Sequence, residues 1–187
     1  MYLIGYGSLI NRHSRQLTQQ TGQCHPVFVT GFDRHWSKID DSYTLSPLAV
    51  TPGTGGFNAV VIDIDKETID DFDKRERGYI RIEVPQQKLN LLEGEIDPAR
   101  AVWMYINEDV TPPCIHIPIA QSYIDTVLSG CLDVSETFAR QFISTTKGWH
   151  HPIENDRLAP KYSRVAGVTD DHQRAIDLIL TDVLRAA

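Results

Sequence analysis

The hydrophobic periodicity of this chain changes character once, and that change constrains what it can fold into. Up to about residue 106 the apolar residues fall in short β-branched and aromatic runs. These are YLIGYG at the start, PVFVTGF, RHWSKI and LSPLAV from Pro26, FNAVVIDI after the glycine-rich TPGTGG, then YIRIEV and AVWMYI. Runs of this length and make-up read as strands, with TPGTGG as a turn between two of them. From Ile119 the spacing becomes helical: first Ile119 to Leu132, then Ser135 to Ser144 with Phe138 and Phe142 one turn apart. A last helix carries a stripe of Ile176, Ile179, Leu180, Val183 and Leu184, and Thr169 or Asp170 caps it. Strands first, with helices added around and after them, favour an α+β fold over a doubly wound one.

One helix interrupts the β region. Asp65 caps a segment starting near Lys66, in which Ile69, Phe72 and Glu76 share a face, and Gly78 is its stop signal. In YIRIEV, Ile80, Ile82 and Val84 alternate with Tyr79, Arg81 and Glu83 until Pro85 ends pairing. The polar stretch Asn11 to Gln20 reads as a short helix or an irregular loop. Gln86 to Arg100 and the PPC at Pro112 to Cys114 read as surface connections. With no repeat or linker, 187 residues predict one domain, a core over about 1–132 and a helical extension over 133–187.

Charge and cysteine usage exclude several classes. With 18 Lys and Arg against 25 Asp and Glu, the net charge of -7 repels phosphate backbones and anionic membranes, so neither nucleic acid nor membrane is expected as a partner. Cys24, Cys114 and Cys131 are odd in number and widely spaced, which predicts reduced thiols in a cytoplasmic protein rather than a disulfide framework. The N-terminus has no secretory pattern, and no apolar run approaches the roughly 18 residues of a membrane span. Cys24-His25, Cys114-x-His116 and His150-His151 with Glu154 match no zinc spacing, so no metal is expected. No Gly-x-Ser-x-Gly elbow supports a serine nucleophile. No Gly-x-Gly-x-x-Gly opens a helix after a strand, so no cofactor is expected.

Two features carry chemistry. Glu76, in line with Ile69 and Phe72, is drawn toward the core, where burial raises a carboxyl pKa toward the range of a general acid and base. The competing reading is a surface carboxylate at a helix end, paired with Lys74, Arg75 or Arg77. Tyr6-Gly7-Ser8-Leu9 ends the first strand, where Gly7 lets backbone approach a ligand and successive N–H groups form an anion-binding concavity. Its competing reading is a tight turn with Ser8 as N-cap. The segment NDRLAPKYSR, Asn155 to Arg164, is either a clasp of Asp156 with Arg157 or Arg164, or a carboxylate clamp near a substrate.

Taken together, YGSL after the first strand and a helix closing with Glu just before Gly-Tyr-x-Arg resemble the γ-glutamylcyclotransferase family, including its glutathione-degrading branch. GFDRHWS, Gly31 to Ser37, is similar to that branch's Gly-aromatic-x-Arg-x-aromatic segment. Tyr123 to Gly130 matches a Tyr-x-x-x-x-x-x-Gly helix end. The resemblance covers about Tyr2 to Leu132 and leaves the tail from Phe138 outside it. It implies a small mixed β-barrel ringed by helices and a γ-glutamyl small molecule as substrate. Glu76 would be the acid and base, Tyr6, Gly7, Ser8 and Leu9 would line the γ-glutamyl site, and Tyr123 would stand beside them. The chain departs from the pattern at Leu9, where amino-acid-type members carry Asn, and it lacks an Arg-Gly-Thr-Pro run near Leu45 to Pro52. A binding module on the same fold without turnover, and an enzyme cleaving γ-glutamyl-amine cross-links, remain as alternatives.

Overall fold

The computed structural model describes residues 1–17, 22–39, 42–76 and 78–186. The chain opens with β1 (Tyr2–Gly5), whose four residues are all buried, and runs through a 3-10 turn at Ser8–Ile10 into the short helix α1 (Arg12–Gln16). Gln19 and Gln20, at the end of the polar stretch, lie outside the described residues. Two long strands follow, β2 (Cys24–Trp36) and β3 (Leu48–Asp63), paired antiparallel along nearly their whole length. Then come α2 (Lys66–Arg75), β4 (Ile80–Glu83), β5 (Leu89–Leu91) and β6 (Val102–Ile106). The last third holds β7 (Ile119–Ala120), α3 (Gln121–Val134), α4 (Glu136–Ser144), β8 (Thr146–Lys147), β9 (Ile153–Glu154) and α5 (Asp170–Ala186).

The seven-stranded sheet has the order β4-β6-β1-β3-β2-β5, with β8 on β2. β1 runs parallel to β6 and β8 parallel to β2, while the other ladders of this sheet are antiparallel. This is an α+β architecture with a mixed sheet. The pairing path ends on β4 at one side and β5 at the other, and no ladder among the described residues joins those edges. α4 packs on β3, and α5 closes over α3 and α4 through Ile176 and Ile179. The side chains of Val183 and Leu184 lie outside the described residues.

Three expectations need correcting. TPGTGG is not a turn between strands, because Thr51 to Gly56 continue β3 opposite Thr30 to Asp33 of β2 across a bulge at Gly31. Side chains at Gly53 and Gly55 would collide with the Asp33 carboxylate, so the glycines serve close approach of two strands. Gln86 to Arg100 is not purely connection, since Leu89–Leu91 adds β5 to the β2 edge and half-buries its two leucines. Gly130 does not end a helix. It lies inside α3, where a Cβ would overlap the Asn11 backbone.

The contact at Gly130 joins the two halves of the chain. Asn11 is fully buried, and its Nδ2 donates to Thr126 O and Ser129 Oγ of α3 at 2.9 Å and to Ala166 O at 3.1 Å. Its Oδ1 accepts from Ser14 N at 3.0 Å, which caps α1. Gly130→Ala must push these groups apart, and overpacking of this kind costs about 3 kcal/mol. For a chain of this size the melting temperature is expected to fall by about 6–12 °C, read by thermal denaturation. An unchanged melt would show that the helix and the turn yield without cost.

Candidate functional site

α2 is built as its sequence predicts. Asp65 Oδ1 accepts from Thr68 N at 2.7 Å as the N-cap, and Ile69 and Phe72 are buried, each worth about 1.5–3 kcal/mol of transfer free energy. Glu76 is not inside the helix but is its C-cap residue, half-buried, with its N–H bonded to Phe72 O at 2.8 Å. Gly78 then adopts φ +80 and turns the chain back toward β4. Asp73 anchors the last turn by accepting from Tyr105 Oη at 2.7 Å and pairing with Arg81 at 2.9 Å. Lys74 pairs with Asp71 rather than with Glu76. The Arg75 side chain and Arg77 lie outside the described residues.

The turn after β1 is equally fixed. Tyr6 is buried, donates its hydroxyl to Tyr105 O at 2.8 Å, and gives its carbonyl to the buried Arg34. Gly7, rather than Ser8, occupies the cap position of the 3-10 turn, and no side chain caps it. A Cβ on Gly7 would stand 2.7 Å from the Tyr123 hydroxyl, so glycine here lets a phenol cross the backbone. Arg15 closes the far end of the turn, bonding Leu9 O at 2.6 Å and Ile10 O at 2.9 Å.

Glu76, Tyr6, Gly7, Ser8, Leu9 and Tyr123 all line one cavity of about 350 Å³, within the usual size range of small-molecule sites. Tyr79, Tyr105 and the 42–48 loop complete one side of it, and Lys161 to Arg164 of the C-terminal segment complete another. Tyr79 bonds Leu48 O at 2.9 Å through its hydroxyl. Four tyrosines feel the Glu76 charge. Burial pushes Tyr6, Tyr79, Tyr105 and Tyr123 up from their ordinary values, and Glu76 adds to the rise in each. The phenols therefore stay neutral beside a carboxylate at any physiological pH, with the hydroxyl hydrogens of Tyr6, Tyr79 and Tyr105 given to Tyr105 O, Leu48 O and Asp73. Backbone donors at Ser8 and Leu48 partly oppose the rise at Tyr123.

The sequence reading did not single out Tyr79 or Tyr105 as cavity residues, and it offered Arg164, in the segment that also holds Tyr162, only as part of a clasp or a carboxylate clamp. The available signal for Tyr79 was its place two residues past Gly78's neighbour Arg77, in the same Glu-to-Tyr segment as Glu76. Nothing local pointed to Tyr105.

The 155–164 segment is a clasp, with partners other than those expected. Asp156 is buried and accepts from Ser122 N at 2.7 Å, Ser122 Oγ at 2.6 Å and Lys161 N at 2.7 Å. Arg157 bridges Asp125 of α3, at 2.7 and 2.8 Å, to Asp177 of α5, at 2.9 and 2.8 Å. Burial alone would raise the Asp156 carboxyl, but the Ser122 and Lys161 donors outweigh it and hold it below the usual 3.8. A carboxyl depressed on folding contributes stability that is complete above its unfolded pKa and is lost as pH falls through the folded one. Asp156→Asn is thus expected to cost about 2–4 kcal/mol near neutral pH, and the gap from wild type should shrink below about pH 4. Urea unfolding across that range reads the gap, and a constant gap would mean that the charge of Asp156 contributes nothing.

The three cysteines are free thiols. Among the described residues no helix is long and apolar enough to cross a membrane, and no group of three His, Cys, Asp or Glu side chains gathers as a metal site.

No protein-family model and no curated protein matches the sequence. Solved structures do match. A γ-glutamyl cyclotransferase aligns with TM-score 0.60 at 14% identity, over 95% of this chain and 98% of its own. An uncharacterized protein from Homo sapiens aligns with TM-score 0.57 at 13% identity, over 94% and 97%. YkqA from Bacillus subtilis aligns with TM-score 0.55 at 15% identity, over 79% of this chain and 56% of its own. The chain has the fold of these proteins, and with the first two the likeness extends through its helical last third.

Proposed function

We propose that this chain is a γ-glutamylcyclotransferase-like enzyme that converts a γ-glutamyl compound to 5-oxoproline and a free amine. The observation that carries the reading is that Glu76 and the Tyr6-Gly7-Ser8-Leu9 turn line a single cavity with Tyr123. The reading takes residues 1–187 as one domain, a small mixed barrel over about 1–132 with 133–187 as its helical extension, working in the cytoplasm on a small molecule.

The chemistry is intramolecular aminolysis. The α-amine nitrogen of the γ-glutamyl group attacks its own side-chain carbonyl carbon, forming the ring C–N bond. The amide C–N bond then breaks, and the departing nitrogen takes a proton. Glu76 removes a proton from the α-amine and returns one to the leaving nitrogen, so one carboxylate serves both steps and no water is consumed. Nucleophile and electrophile share one molecule, and the cavity's main task is to hold the substrate coiled, a proximity effect worth several kcal/mol. Backbone N–H groups of the Gly7 to Leu9 turn bind the α-carboxylate or the oxygen that becomes negative, and the neutral Tyr123 hydroxyl supplies a further donor.

The test is to incubate the protein with glutathione and a panel of γ-glutamyl amino acids and γ-glutamyl amines, and to assay 5-oxoproline. Product from at least one is the expected result. Binding without product from any would instead make the chain a ligand-binding module on this fold.

A further inference from the structure

We propose that Asp73 is a positioning residue for the reaction: it accepts the Tyr105 hydroxyl hydrogen and so keeps that phenol from donating to Glu76. The inference rests on Glu76 as the acid and base of the proposed cyclisation, and adds what keeps that carboxylate basic.

Asp73 and Glu76 stand three residues apart at the end of α2, the spacing at which helix side chains are neighbours. Facing this turn is a cross-strand pair. Arg81 of β4 lies directly opposite Tyr105 of β6 in the antiparallel ladder, so both side chains leave the same face of the sheet. Asp73 takes both of them: its Oδ1 accepts from Tyr105 Oη at 2.7 Å, and its Oδ2 pairs with the Arg81 guanidinium at 2.9 Å. Packing holds the pair in place. The guanidinium lies 5.0 Å over the Trp103 ring, and the buried Tyr105 ring stands 6.3 Å from that of Phe72. Tyr105 also lines the cavity with Glu76 and feels its charge, yet its one hydrogen goes to Asp73.

That choice of acceptor matters for the chemistry. A phenol that donates to an ionised carboxylate stabilises the ionised form and weakens it as a base. A phenol whose hydrogen points elsewhere offers the carboxyl group only lone pairs, which favour the protonated form. The same arrangement recurs around Glu76, where Tyr6 donates to Tyr105 O at 2.8 Å and Tyr79 to Leu48 O at 2.9 Å. Tyr123, from α3, is the fourth phenol. Of the acceptors that hold the first three, Tyr105 O and Leu48 O are backbone. Asp73 is the side chain among them, and therefore the one that a substitution can remove.

The experiment titrates the Glu76 carboxyl group by carbon NMR in ligand-free protein labelled at its glutamate side-chain carboxyls, with the signal assigned by its loss in Glu76→Gln. Asp73→Asn removes the charge and keeps an acceptor for Tyr105, whereas Asp73→Ala removes both. The Glu76 midpoint in Asp73→Ala is expected about 1 to 2 pH units below that in Asp73→Asn, the span of one charge-assisted hydrogen bond. Asp73→Ala combined with Tyr105→Phe should return it to the Asp73→Asn value. Arg81 loses its partner in all three variants. Tyr43, Lys161, Tyr162 and Arg164, the other titratable groups around the cavity, are the same in all three, so the difference reads the Tyr105 hydrogen. Equal midpoints in Asp73→Ala and Asp73→Asn, or a shift that persists in the double variant, would overturn the assignment. Tyr105→Phe alone keeps the test available if Asp73→Ala does not fold. It should leave the wild-type midpoint in place, and a rise would mean that the phenol already donates to Glu76, against the proposal. The acid limb of kcat for 5-oxoproline formation should move with the midpoint. If wild type yields no 5-oxoproline from any γ-glutamyl compound, the cyclisation reading fails by itself, and the titration, made without substrate, still decides the role of Asp73.

Discussion

Glu76→Gln is expected to reduce the rate of 5-oxoproline formation by about 10²- to 10⁴-fold, the span of a positioned general acid and base. Gln keeps the length and shape of the side chain but neither takes nor returns a proton. The residue is held at the C-cap of α2, beside Phe72, and the Asp73 links to Tyr105 and Arg81 fix the turn it sits on. The loss should therefore fall on kcat, with KM changed by no more than about threefold. Equal product from the variant would end the proton-transfer role, and a thermal melt of the same sample separates lost chemistry from lost fold.

Arg34→Ala is expected to destabilise the chain by about 3–5 kcal/mol, from a buried cavity and several orphaned acceptors together. Arg34 is fully buried and touches three parts of the fold. Its Nε donates to Thr146 Oγ1 at 2.8 Å, and its NH1 donates to Asn58 O at 2.7 Å and Tyr6 O at 3.4 Å. Its NH2 donates to Phe142 O at 3.0 Å, Asn58 Oδ1 at 3.1 Å and Thr145 Oγ1 at 3.2 Å. The guanidinium also lies 3.6 Å over the Phe142 ring. Burial pulls its pKa down to about 9, which still leaves it charged at neutral pH. At about 2–4 °C per kcal/mol for a chain of this size, the melting temperature should drop by about 6–20 °C. Arg34→Lys should recover little of it, because one ammonium cannot reach acceptors spread around a planar fork. A drop of under about 3 °C in Arg34→Ala would mean the surrounding groups find other partners. Since Tyr6 O is among those acceptors, a destabilised variant should also lose ligand affinity.

Local signals located most of the elements. Asp65 capping α2, Ser135 Oγ accepting from Phe138 N at 3.0 Å to start α4, and Thr169 Oγ1 accepting from His172 N at 3.1 Å before α5 are all short-range contacts, and residue type reveals such contacts directly. β5 escaped because a three-residue edge strand needs only Leu89 and Leu91 on one side, too short a pattern to stand out from polar surroundings. The alternation in YIRIEV put Ile80, Ile82 and Val84 on one side of the strand without saying how far that side is covered. Ile80 is 50% exposed on β4, the edge of the sheet, Val84 on the same side is buried, and Tyr79 before them turns toward the cavity.

The sequence by itself determined the α+β class, the position of α2 with Glu76 at its end, and the strand that delivers the Tyr6 to Leu9 turn. Periodicity, caps and glycine stops act over a few residues, and that information is complete within the segment. Only the tertiary structure decided that Glu76, Tyr6 and Tyr123 share one cavity, that Tyr79 and Tyr105 enclose the carboxylate, and that Arg164 from the last third reaches the same space. Those placements depend on sheet order, on Asn11 seated against Gly130, and on the Asp156 clasp. Each of these joins residues far apart in the chain, and no local pattern encodes their distance.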